Sequence, residues 1–146
     1  FMAAQGLLWL LDSTDGHAKN YSVFLEAKDR FRLTPLYDIL SAAPLAATGE
    51  LSSRRLKLAM GLIGKNRHYR TADIEPRHFL STAAAVDYPK AEMLAVLNHF
   101  ARLTPEVVAK VRNKLPSGFP ETTASPIFEV LQKRVGKIAT FLQTQT

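Results

Sequence analysis

The sequence contains no cysteine, and this absence excludes several kinds of protein. Without cysteine the chain can form neither a disulfide scaffold nor a thiolate metal site, and nothing points to an oxidising compartment. No apolar run approaches the roughly 20 residues that a membrane span requires. The apolar opening segment 1–11 also lacks the basic leader and small-residue cleavage pattern of a signal peptide. We therefore expect a cytoplasmic protein with no membrane partner.

The sequence also lacks any glycine-rich nucleotide motif. Its seven glycines are scattered, and neither GxGxxG nor GxxxxGK[ST] occurs. Those motifs group their glycines because the backbone must approach nucleotide phosphates closely. What the chain does have is 146 residues with 47% hydrophobic content, which is enough to bury one core. We expect a single domain over 1–146.

Helical periodicity dominates the chain, and we expect a mainly α fold with one small β-hairpin. The pattern and its proline and glycine punctuation predict helices over 2–12, 53–60, 76–86, 90–103, 104–115 and 125–143. The hairpin is predicted over 21–26 and 31–33. The stretch 41–53, which contains Pro44 and Gly49, is predicted to be an irregular loop.

The most informative residues surround this hairpin. The chain reads Asp15-Gly16-His17-Ala18-Lys19-Asn20 before it and Leu33-Thr34-Pro35-Leu36-Tyr37-Asp38 after it. If the two strands pair antiparallel, Asn20 and Asp38 return to the same end of the hairpin, where one metal ion could bridge them. Phosphoryl transfer needs such groups, because one acid orients the attacking hydroxyl while amide and carboxylate oxygens hold magnesium. An Asp-x-x-x-x-Asn spacing alone would be weak, since Asp15 could equally be a turn or cap residue.

These two motifs resemble the catalytic core of HipA-type toxins, the serine/threonine kinases of bacterial toxin–antitoxin modules. The resemblance continues through Ile39-Leu40-Ser41-Ala42, Leu56-Lys57-Leu58-Ala59-Met60-Gly61 and Pro76-Arg77-His78-Phe79-Leu80. It implies the helical C-lobe of a protein-kinase-like fold. Its parts would be a catalytic loop and hairpin over 1–38, an activation-segment-like loop and basic stretch over 39–75, and a helical subdomain over 76–146.

The resemblance also implies roles for individual residues. Asp15 would be the catalytic base, and Asn20 and Asp38 would be ligands for Mg²⁺. The residues lying against ATP would be His17, Ala18, Lys19, Asn20 and Tyr37. Because no lysine strand or phosphate loop precedes the first motif, we expect the chain to be the C-terminal half of a kinase and to be inactive alone.

For three of these residues the sequence leaves alternatives open. His17 could touch phosphate or pack beneath the loop. Lys19 could contact phosphate or be an ordinary exposed lysine. Tyr37 could lie near the nucleotide or in the core.

Two other functions also fit the sequence. The chain could be a non-catalytic helical module that binds an antitoxin or DNA. It could alternatively be a kinase for lipids or small molecules, although Leu-Thr-Pro-Leu-Tyr-Asp stands where such a kinase would have Asp-Phe-Gly.

The resemblance implies a DNA-binding antitoxin as partner, an aminoacyl-tRNA synthetase as a possible protein substrate, and arrested growth as the consequence. Some members of the family touch operator DNA through basic side chains on a C-lobe helix. Here the matching helix, Arg77 to Asp87, has no basic residue after His78. We therefore expect any operator contact to run through the antitoxin.

The net charge of +6 is concentrated in one stretch. Its basic residues are Arg54, Arg55, Lys57, Lys65, Arg67, His68 and Arg70. Such a cluster can meet nucleic-acid phosphates, bind an acidic partner or be a solvated face. No recognised DNA-reading module accompanies it.

Overall fold

A computed structural model describes residues 1–145 and is about 54% helical, with two antiparallel hairpins. The helices are α1 (Met2–Leu10), α2 (Ala43–Ala47), α3 (Pro76–Ala85), α4 (Lys90–Arg112) and α5 (Glu121–Gln143). The strands are β1 (Val23–Glu26), β2 (Arg30–Leu33), β3 (Lys57–Ile63) and β4 (Arg67–Arg70). The mainly α prediction is confirmed, and the structure adds a second hairpin. None of the described helices combines the length and hydropathy needed to cross a bilayer.

The core forms where α1, α3, α4 and α5 meet. Its buried side chains include Trp9, Phe79, Met93, Leu97 and Ile138. The rings of Trp9 and Phe79 lie 5.4 Å apart in a tilted arrangement, and the Trp9 indole N–H donates to the Thr71 carbonyl at 3.1 Å. Each large apolar side chain buried in this way contributes about 1.5–3 kcal/mol. The core therefore fixes α1, whose C-terminal end leads into the first motif.

The helix predicted over 53–60 is wrong. The structure has a single 3₁₀ turn, Ser53–Arg55, followed by β3. The segment is rich in residues that favour helix intrinsically, namely lysine, leucine, alanine and methionine. In the structure, however, Leu58 and Leu62 belong to β3 and their side chains are buried. The pairing of β3 with β4, and a hydrogen bond from the Ile63 N–H to Thr82 Oγ1 at 2.8 Å, hold the extended form. Tertiary contacts therefore override local propensity here.

Two predicted helix starts are also wrong. Helix α4 runs without a break through Pro105, and α5 begins at Glu121, so that Pro126 lies inside it. A proline inside a helix costs about 3 kcal/mol, because a backbone hydrogen bond is lost and the ring meets the preceding turn. The continuous α4 buries Leu97 in the main core and Val108 in a second cluster against α5. In the predicted loop 41–53, the short helix α2 also forms.

A buried ion pair joins the end of α1 to α5. The Arg134 guanidinium donates to the Asp12 carboxylate, and both residues are buried, with Arg134 only 7% exposed. The guanidinium also lies 5.3 Å from the centre of the Trp9 ring. Burial lowers the pKa of Arg134, and the neighbouring Asp12 charge opposes that shift. Each charge therefore depends on the other for its stability.

Replacing Arg134 with methionine should destabilise the protein by about 3–5 kcal/mol, because the Asp12 carboxylate would remain buried without a partner. The matched control is Lys110→Met, which breaks the exposed pair between Lys110 and Glu106. That change should cost at most about 0.5 kcal/mol. Urea unfolding measures both. Equal losses in the two variants would contradict the role assigned to the buried pair.

His78 caps the start of α3. Its ring is buried, and its Nδ1 accepts a hydrogen bond from the Glu75 N–H at 3.1 Å. The His68 ring stacks on it, with centres 3.9 Å apart. Burial lowers the pKa of His78, the nearby His68 and Arg77 lower it further, and Glu75 opposes them. Protonation would therefore break the cap and charge a buried ring.

The stability of the fold should consequently depend on His78 at mildly acidic pH. Its pKa is lower when folded than when unfolded, so its contribution is complete above about pH 6.5 and is lost as the pH falls below that value. The urea concentration at the unfolding midpoint should decrease as the pH is lowered from about 7.5 to about 5. His78→Gln should flatten this decrease, whereas His99→Gln, at an exposed position on α4, should leave it intact.

Candidate functional site

The loop that follows α1 is held at both of its ends. At its start, the Ser13 N–H donates to the Leu8 carbonyl at 2.9 Å. The Ser41 hydroxyl donates to the Leu11 carbonyl at 2.6 Å, and the Ala42 N–H donates to the Asp12 carbonyl at 3.1 Å. Ser41 and Ala42, which follow the hairpin in sequence, are thus hydrogen-bonded to the beginning of the loop. This fixes the loop relative to the second motif.

Between these ends, β1 and β2 form the predicted antiparallel hairpin. The paired residues run from Val23 with Leu33 to Glu26 with Arg30. The Thr34 N–H extends the ladder by donating to the Ser22 carbonyl at 2.9 Å. The chain therefore enters and leaves the hairpin at the same end, as the sequence predicts.

Asn20 is the centre of the site. It is buried, and its side-chain amide nitrogen donates to the Asp15 carbonyl oxygen at 3.1 Å and to Asp38 Oδ2 at 3.3 Å. A primary amide has two N–H groups, so these bonds use both and leave the amide oxygen as the atom available to a further partner. Asp38 adopts φ +56°, a left-handed conformation that non-glycine residues seldom take. The structure therefore brings Asn20, Asp38 and the main chain of Asp15 together.

The Asp15 carboxylate faces solvent. Its side chain is 71% exposed, and its Oδ1 lies 3.7 Å from His17 Nε2. An exposed carboxylate is accessible to a substrate hydroxyl. Two buried polar atoms of the same loop, Ser13 Oγ and His17 Nδ1, have no hydrogen-bond partner within the described part of the chain. Buried polar atoms without a partner are uncommon in folded proteins.

The other predicted residues lie around this centre. The Tyr37 hydroxyl contacts Ser22 Oγ at 2.8 Å and donates to the Lys19 carbonyl at 3.4 Å. Tyr37 is 45% exposed, so it is not a core residue. The side chains of Ala18 and Lys19 are exposed on the 3₁₀ turn Ala18–Asn20.

The crevice beside Asn20 and Asp38 is very small. Its volume is about 10 Å³, and its walls include Leu8, Gly16 and Tyr37. Small-molecule sites usually offer about 300–1,000 Å³. Asp15, Asn20 and Asp38 form what we call the acid–amide–acid group, and residues 1–145 present it without a nucleotide-sized cavity beside it.

The sequence reasoning missed two residues that position this site, Asp12 and Arg134. Asp12 looks like one more loop aspartate, but its φ of +53° and its buried carboxylate turn the chain out of α1. A signal for Arg134 was available. It lies three residues after Leu131 and four before Ile138, on the apolar stripe predicted for the last helix. A charge on that stripe predicts a buried partner.

Fold and site together define a helical lobe with an acid–amide–acid group at the base of a small hairpin. The chain belongs to the family described as the HipA-like C-terminal domain, whose model matches residues 1–109. Its fold is similar to a chain in the complex of HipA, HipB and operator DNA of the Shewanella oneidensis MR-1 toxin–antitoxin system, with a TM-score of 0.72 and 18% identity. The match covers 97% of this chain and 32% of that one. This chain therefore spans about a third of that relative's length, and the predicted resemblance is confirmed.

Gly16 tests how tightly the loop is packed. A Cβ at this position would lie 2.3 Å from Leu8 Cδ1 and 3.0 Å from Leu8 Cδ2, and Leu8 is buried. Gly16→Ala should therefore destabilise the protein by about 1–3 kcal/mol and shift the NMR signals of Asn20 and Asp38. Gly136→Ala is the matched control, because no atom lies within 4 Å of its added Cβ. In mid-helix that change should stabilise by up to about 1 kcal/mol. An unperturbed Gly16→Ala variant would show that the loop does not rest on α1.

Proposed function

We propose that this chain is the C-terminal catalytic part of a HipA-like protein serine/threonine kinase, the toxin of a type II toxin–antitoxin module. One observation carries the proposal. The buried amide of Asn20 joins the Asp38 carboxylate to the main chain of Asp15, so residues from both sides of the β1–β2 hairpin meet at one point. Membership of the HipA-like family supports it.

In the proposed reaction, Asp15 acts as the general base. Its exposed carboxylate accepts the proton of a substrate serine while the serine oxygen forms a bond to the γ-phosphorus of ATP. The bond from that phosphorus to the β–γ bridging oxygen breaks, and ADP leaves. His17, 3.7 Å from the carboxylate, would orient it. The products are ADP and a phosphoserine.

The side chains fit a magnesium ion. Asn20 supplies an amide oxygen and Asp38 a carboxylate, and Mg²⁺ in phosphoryl-transfer enzymes commonly takes one or two carboxylates and completes its shell with phosphates and water. The described residues contain no group of three or more His, Asp or Glu side chains that could hold a metal by themselves. When bound, the ion would neutralise charge on the phosphates.

The rest of the ATP site would come from outside the described chain. His17, Ala18, Lys19 and Tyr37 would line one side of the nucleotide, but the crevice here is too small to hold it. We therefore propose that these residues complete a site whose larger part lies elsewhere in a longer protein that contains this chain, and that the chain alone is inactive.

For partners, we propose a HipB-like DNA-binding antitoxin, because the structural relative is part of a complex with HipB and operator DNA. Operator DNA would be reached through that antitoxin. The substrate would be a cytoplasmic protein, with aminoacyl-tRNA synthetases as the class that the family resemblance implies.

A non-catalytic interaction module is the second candidate. The observation in its favour is the β1–β2 hairpin, where Leu25 is 84% and Phe31 71% exposed. Exposed apolar residues grouped in this way commonly mark an interaction surface.

Substituting Asp15 tests the base directly. In the full-length protein that contains this chain, Asp15→Ala should slow phosphoryl transfer from ATP by at least about 100-fold, because a general base contributes that much or more. Asp38→Asn should slow it comparably by removing a metal-ligating charge. Transfer of radiolabelled phosphate to protein measures both.

The matched control is Asp29→Ala at the hairpin tip, an exposed aspartate that should leave the rate unchanged. Unfolding midpoints should be similar for Asp15→Ala and the parent, since the carboxylate is exposed. Full activity in Asp15→Ala would reject this residue as the base. If the parent protein transfers no phosphate but still binds the HipB-like antitoxin, the interaction module would be favoured.

A further inference from the structure

All of the chain's excess positive charge lies in one short segment. The sequence has 19 Lys and Arg against 13 Asp and Glu, and the stretch 54–70 contains six of the basic residues and no acidic one. These are Arg54, Arg55, Lys57, Lys65, Arg67 and Arg70. The remainder of the chain is therefore electrically balanced, and the net charge of +6 belongs to this segment.

All six side chains are exposed, and within the described chain none makes an ion pair. Elsewhere, by contrast, Arg32, Lys110, Arg134 and Lys137 each pair with an acid. The six residues lie on the 3₁₀ turn Ser53–Arg55 and on the β3–β4 hairpin. The longer strand of that hairpin extends about 20 Å at the usual rise per residue. We call this surface the basic hairpin.

Two of these cations directly oppose each other. Lys57 on β3 pairs with Arg70 on β4. Like charges directly across a strand pair are destabilising. A polyanion bound here would convert that repulsion into attraction on both sides.

An aromatic ring accompanies the charges. A Cβ added to Gly61 would lie 2.9–3.0 Å from three consecutive atoms of the Tyr69 ring, Cδ1, Cε1 and Cζ. Nearly equal distances to three neighbouring ring atoms mean that the ring lies face-on over the glycine. Tyr69 is 41% exposed, so part of its side chain is open to solvent. The Tyr69 ring therefore packs flat against Gly61. In sequence Tyr69 lies between Arg67 and Arg70.

We propose that the basic hairpin binds single-stranded nucleic acid, with the cations on the phosphates and Tyr69 as a stacking platform for a base. Proteins that bind single strands combine these two elements, because the charge follows the backbone and every base has a face that can stack. A basic surface that only contacts solvent has no need of an aromatic ring held in a fixed position among its cations. The inference does not depend on phosphoryl transfer by the rest of the protein.

Fluorescence anisotropy with a labelled single-stranded oligonucleotide of mixed sequence tests the surface. The triple variant Lys57→Gln, Lys65→Gln, Arg67→Gln should bind at least about tenfold more weakly at low salt. Its slope of log affinity against log salt should be shallower by about 2, as expected for three lost phosphate contacts on a single strand. The matched control is Lys90→Gln, Arg102→Gln, Lys114→Gln, which removes the same three charges from exposed positions on or beside α4. It should bind within about twofold of the parent.

Two further variants test the ring. Tyr69→Leu should weaken binding by about fivefold or more without changing the salt slope, whereas Tyr69→Phe should bind like the parent because it keeps the ring over Gly61. Equal losses in the two triple variants would overturn the assignment of the surface. Duplex DNA bound more tightly than the single strand, with no effect of Tyr69→Leu, would overturn the single-strand assignment. Competition by polyglutamate as effective as that by the oligonucleotide would assign the surface to an acidic protein instead.

Discussion

The buried pairing of Asp12 with Arg134 is the constraint on which the site depends. It holds the chain where it leaves α1 and anchors that point to a helix more than 100 residues later. The Asp12 carbonyl then receives the Ala42 N–H from beyond the hairpin, so both ends of the loop converge on one residue. Because a buried charge without its partner is strongly unfavourable, this arrangement has little freedom to shift. The rigid scaffold lets a short loop carry the acid–amide–acid group.

The members of the acid–amide–acid group differ in burial and in hydrogen bonding. Asn20 is buried and uses both amide hydrogens to hold its neighbours, while Asp15 keeps its carboxylate in solvent. The chain covers about a third of its structural relative. Beside that group the described chain has only a crevice of about 10 Å³, and the neighbouring hairpin exposes apolar residues.

The failed predictions share a cause. Leu58 and Leu62 belong to a segment of good helix formers, yet they lie on a strand because β4 and α3 pack against it. Pro105 carries a proline's usual signal for a helix start, yet α4 continues through it because Val108 packs against α5. In each case the deciding contact comes from residues distant in the sequence. Local patterns contain no information about such partners.

The sequence by itself determined the residue types of the candidate site, the hairpin between them, the family and the location of the net charge. These follow from short-range spacing, since an antiparallel hairpin must return its ends to one place. Only the tertiary structure decided that Asn20 bonds to Asp38, that Arg134 neutralises Asp12 and that Tyr69 lies flat on Gly61. Those contacts depend on how helices and strands pack in three dimensions, and burial is a property of the packed chain alone.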